Sequence, residues 1–111
     1  MLALTSCGEG TWVAVVNETD SPLEQVSWGD CLWEESVLPG ERTSGCAPSV
    51  LEGRVRFEVV RPVDIEGHTQ LVRIPYRTRR TLEVEPGRAR SLSVRSDDIE
   101  EDYDRPSPFA H

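Results

Sequence analysis

The 111-residue chain has no lysine, and its cationic side chains are twelve arginines and, when protonated, two histidines. Without lysine there is no amine for a Schiff base and no phosphate-binding P-loop lysine. The histidines are His68 and His111, the last residue, so general-base chemistry has few candidates. No GxSxG, HExxH, glycine-rich phosphate loop or EF-hand pattern occurs. Glu34 and Glu35 are adjacent and would point to opposite faces of a strand, so they cannot converge as an acid–base pair. The expectation is a non-catalytic protein with no cofactor and no metal.

Long apolar runs are also missing, and no stretch keeps an i, i+3, i+4 apolar stripe over helical length. Instead, short apolar runs alternate with Gly/Pro punctuation about every ten residues, which predicts strands. They are Thr11–Asn17, Leu23–Asp30, Leu32–Leu38, Arg54–Arg61, Gln70–Tyr76, Thr78–Val84 and Arg88–Val94. In Thr11–Asn17 both faces are apolar, which suits a central strand covered on both sides. Arg54–Arg61 alternates most cleanly, with Val55, Phe57 and Val59 on one face. Gly67 is the expected pivot of the next reversal, and Pro75 belongs at an edge or strand end.

The similar segments LPGERTS and EPGRARS, residues 38–44 and 85–91, read as two matching turns. Direct pairing of Thr78–Val84 with Arg88–Val94 needs an odd-length loop or a bulge to align Leu82 with Leu92. Otherwise the two strands belong to different sheets. The fold class expected is all-β: an immunoglobulin-like antiparallel β-sandwich of about seven strands with one disulfide.

Charge divides the chain. The net −8 concentrates in residues 97–104, where Asp97, Asp98, Glu100, Glu101, Asp102 and Asp104 cluster; residues 1–96 carry 14 acids and 11 arginines. Nucleic acid is excluded as a partner, because phosphate binding needs a net cationic face. Residues 97–111 are read as an acidic, proline-containing disordered tail, and residues 11–96 as the sandwich domain.

Three cysteines remain to be assigned. Cys31 and Cys46 bracket the Pro39-Gly40 turn and are read as a disulfide closing a loop of about 16 residues, worth on the order of 3 kcal/mol. Buried thiols and a zinc site are the other readings, although Cys31, Cys46 and His68 match no tight ligand spacing. Leu4-Thr5-Ser6-Cys7 resembles the lipobox of bacterial lipoproteins. The resemblance implies lipidation at Cys7, export to the bacterial cell envelope as a periplasmic or outer-membrane lipoprotein, and membrane attachment through that lipid. Residues 1–10 are then a truncated signal with lipobox and tether.

The function read from these features is an accessory, structural protein–protein component of a larger envelope assembly. A ligand-binding module is the alternative. Trp33, on the opposite parity from Val26 and Trp28, would present an indole to a glycan, or Arg77, Arg79 and Arg80 would hold an anion. The acidic tail could also fold back over those arginines. The third reading is a small enzyme pairing Cys31 or Cys46 with His68.

Overall fold

A computed structural model describes residues 10–103, which fold into nine strands and one 3-10 turn. In chain order these are β1 (Trp12–Glu18), β2 (Glu24–Trp28), β3 (Cys31–Trp33), β4 (Glu52–Gly53), β5 (Arg56–Ile65), β6 (His68–Thr78), β7 (Leu82–Glu83), β8 (Ala89–Arg95), the 3-10 turn Ser96–Asp98 and β9 (Ile99–Glu101). A five-stranded sheet has the order β3-β2-β5-β6-β9 and is antiparallel throughout. β4 and β7 form a short antiparallel pair. β1 and β8 pair in parallel, where an all-antiparallel arrangement was expected.

β1 is central to its sheet. Its other side meets residues 42–46 through antiparallel bridges, Val13 with Cys46 and Val16 with Arg42. Only one face of β1 is covered, however: Val13, Val15 and Asn17 are buried, whereas Trp12 is 49% exposed. The all-apolar sequence of this strand had predicted cover on both faces. The structure instead lays small residues outside, with Ser91 and Ser93 level with Ala14 and Val16, and leaves Ala14 and Val16 half-buried.

The core draws on both larger sheets: Val13, Val15, Leu92 and Val94 from one, Val26, Trp28, Trp33, Phe57 and Val59 from the other. Complete burial of side chains this large contributes roughly 1.5–3 kcal/mol each before entropy is subtracted. The inward alternation expected for Val55, Phe57 and Val59 is present. The Cys31–Cys46 disulfide links β3 to the segment bordering β1, and so ties the two sheets together.

Turn chemistry sets the remaining geometry. Leu38–Glu41 and Glu85–Arg88 each close with an i to i+3 hydrogen bond, with Pro at i+1 and Gly40 or Gly87 at positive φ. Both are therefore type II turns. They sit at opposite ends of β1: Gly40 N–H donates to the Asn17 carbonyl, and Gly87 N–H to Thr11 Oγ1. The segments after these turns then flank β1 from its two sides. Thr78–Val84 and Arg88–Val94 accordingly do not form a hairpin; β7 pairs with β4 and β8 with β1.

Glu66 and Gly67, both at positive φ, make the two-residue turn between β5 and β6, with Ile65 opposite His68. Pro75 lies inside β6, opposite Glu58, where the pairing with β9 stops. Its carbonyl accepts the Asp102 N–H, so the position of its missing N–H faces away from β5 and the β5–β6 ladder loses nothing. Residues 97–101, expected in a disordered tail, lie in the 3-10 turn and β9. Their order has two sources: Ile99 packs on the core, and the acids meet arginines.

Candidate functional site

Arg77 and Arg79 lie on β6 and just after it, beside β9, and the acidic segment covers them. Arg77 Nε donates to Glu100 Oε2 at 2.9 Å, and Arg77 Nη1 reaches Asp102 Oδ1 at 3.5 Å. Arg80 Nε meets Asp98 Oδ2 at 3.1 Å, and Arg79 Nε donates to the Ile99 carbonyl at 3.1 Å. Two arginines that sequence reasoning did not single out join them: Arg54 with Glu100 at 3.5 Å and Arg56 with Asp102 at 3.0 Å. Asp102 itself is buried, 2% exposed. The structure thus brings Arg77, Arg79 and Arg80 onto one face together, and brings the chain's own carboxylates there with them. Strand alternation on Arg54 and Arg56 was the signal that could have added those two.

Trp33, the expected glycan platform, is only 4% exposed and belongs to the core. Its Nε1–H donates to the Ser44 carbonyl at 2.8 Å. The two-residue turn Gly29-Asp30 pairs Trp28 with Cys31 and Val26 with Trp33, so Trp33 faces the same way as Val26, and Leu32 is the exposed member of β3. The sulfurs of Cys31 and Cys46 are bonded to each other, so neither is a thiol partner for His68, which is exposed at the tip of the β5–β6 hairpin. Cys7 lies outside the described residues. Among the described residues no group of three or more His, Cys, Asp or Glu is placed to hold a metal ion.

The exposed indole is Trp12. It borders an open cleft of about 390 Å³ on the outer face of β1, lined also by Ala14, Arg42, Gly45, Ala89 and Ser91. Trp12 packs against Gly45 so closely that a Cβ there would stand 3.1 Å from indole Cε3. Arg42 enters from the neighbouring segment, and its Nη1 crosses β1 to Ser91 Oγ at 3.4 Å. Trp12 was absorbed into the apolar run of β1 when read from sequence, and Arg42 into a turn.

One shifted carboxyl stands at the tip of the β2–β3 hairpin. Asp30 receives the Ser49 backbone N–H at 2.9 Å and the Ser49 hydroxyl at 2.8 Å. These bonds, the backbone one foremost, hold its pKa below the ordinary aspartate value. They fasten the 47–51 loop to the hairpin.

Comparison of the chain with protein families, with curated proteins and with solved structures found no match.

Proposed function

We propose that this protein is a non-catalytic accessory component of a cell-envelope assembly. It is an immunoglobulin-like sandwich exported as a lipoprotein through Cys7, and it docks another protein by strand addition. The sandwich reading is supported by a disulfide joining two sheets across a core that buries Trp28 and Trp33. The oxidising compartment is supported by the same bond.

The observation that carries the docking role is the β5–β6 hairpin. β6 spans eleven residues, yet β9 pairs only with Tyr76–Thr78. From His68 to Ile74 the outer edge of β6 has no strand beside it among the described residues. Leu71, opposite Pro62, is 74% exposed there, and Val60 lies exposed on the same face. An open edge with apolar side chains is the template on which an extended segment of another protein adds a strand.

The test is a photo-crosslinking amino acid at position 71, expressed in an exporting host and compared with the same probe at position 51. A discrete protein adduct from position 71 alone, lost in V60K/L71K, supports the reading. Equal labelling from both positions, or none from position 71 in folded protein, overturns it.

A further inference from the structure

We infer that the cleft between Trp12 and Arg42 is a binding site for an acidic saccharide, a sugar unit bearing a carboxylate or sulfate. The inference is independent of the docking edge, which lies on the other sheet. Four observations meet here. First, Trp12 is a half-exposed indole on a rigid central strand, flanked on both sides by paired backbone. One part of its ring lies on Gly45, so the indole is held in place. A flat ring of this kind takes the apolar face of a pyranose.

Second, the guanidinium of Arg42 has no carboxylate partner among the described residues. Seven of the eleven described arginines form ion pairs, and Arg42 is one of the four that do not. Its contact in the cleft is the long bond to Ser91 Oγ, which leaves donors of its planar fork available to a carboxylate or sulfate. Arg90, whose Nη1 bonds the Glu83 carbonyl, also borders the cleft and adds positive potential.

Third, no carboxylate of the described residues lines the cleft, although the whole chain carries −8. A ligand with one or two anionic groups meets local attraction, whereas a long polyanion meets repulsion from the rest of the molecule. Fourth, the floor is built of Ala14, Gly45, Ala89 and Ser91, which leaves the β1 backbone row smooth and supplies a hydroxyl. The volume of about 390 Å³ falls within the range of small-molecule sites, roughly 300–1,000 Å³.

The same geometry supplies the readout. Trp28 and Trp33 are buried, so a ligand-dependent change in fluorescence or in acrylamide quenching reports on Trp12. The full oxidised chain is titrated with digalacturonate and with chondroitin 4-sulfate disaccharide; neutral galactobiose, sodium acetate, sodium sulfate and uridine monophosphate are run alongside. Saturable binding of either acidic saccharide, about tenfold tighter than the neutral one and weakened about tenfold by W12A and by R42Q, supports the site. R61Q, a substitution at an exposed arginine of β5 on the other sheet, should leave that binding unchanged. All substitutions are at exposed positions, and thermal midpoints verify that the variants are folded. Four results overturn the inference: no saturable binding of either acidic saccharide, equal binding by W12A and R42Q, simple ions matching the saccharides, or uridine monophosphate binding more tightly than both.

Discussion

Asp102 places its carboxylate 3.0 Å from the guanidinium of Arg56 and 3.5 Å from that of Arg77, and is itself almost completely buried. A single acid thereby ties neighbouring strands β5 and β6 to the segment that follows β9. The partners are partly solvated, which moderates the interaction without removing it. Asp102→Asn keeps the shape and removes the charge, and it should destabilise the protein by on the order of 1–3 kcal/mol. Urea denaturation measures this; a loss below a few tenths would mean that Ile99, the Asp98 and Glu100 ion pairs and the β6–β9 ladder hold the segment without help from Asp102.

Neutralising the whole cover should have the opposite sign on anion binding. With D98N/E100Q/D102N, Arg54, Arg77 and Arg80 lose the acids that now occupy them. Retention on heparin resin at low salt should rise and then disappear as salt is added. Unchanged retention would show that this arginine face has no capacity for an outside anion.

Two buried threonines perform one task in different sheets. Thr43 Oγ1 accepts the Val15 N–H at 2.9 Å while Thr43 N–H donates to the Val15 carbonyl. Thr78 does the same with Val55, at 3.1 and 2.9 Å. Each hydroxyl stands in for a ladder carbonyl. Thr43→Val and Thr78→Val keep the shape and orphan a buried N–H, so each should cost about 1–3 kcal/mol, while the serine variants keep the bond. Equal loss in valine and serine variants, read by chemical denaturation, would assign the effect to packing.

Acid should loosen the hairpin tip through Asp30. The pKa of Asp30 is lowered in the fold, so its contribution is fully present above the unfolded value of about 3.9 and is lost as pH falls through the lower folded value. Amide exchange at Ser49 should therefore stay slow at neutral pH and accelerate only well into the acid range. Asp30→Asn should remove that acid-dependent step, and exchange in the variant that still followed the wild-type pH profile would exclude Asp30 as its origin.

Much of the core was legible because its signal is local. The alternation of Val55, Phe57 and Val59 belongs to one strand and needs no partner to be read. The placing of Trp33 failed because its face depends on register across the Gly29-Asp30 turn, which pairs Val26 with Trp33. Parity counted along the chain misses that. Trp12 was hidden for a different reason: an apolar strand looks the same whether a second layer covers it or small neighbours leave it open. Order in residues 97–103 depended on charges twenty or more positions away, Arg77 with Glu100 and Arg56 with Asp102, and composition of the segment alone holds no record of them.

The parallel pairing of β1 with β8 sets when the chain can finish folding. Trp12 lies beside Ala89, and Glu18 beside Arg95. During synthesis the first strand must wait for almost the last before its ladder can close, and bringing such distant positions together carries a large loop-closure entropy. Until β8 has been made, β1 has its antiparallel bridges to residues 42–46 to meet but not its parallel ladder.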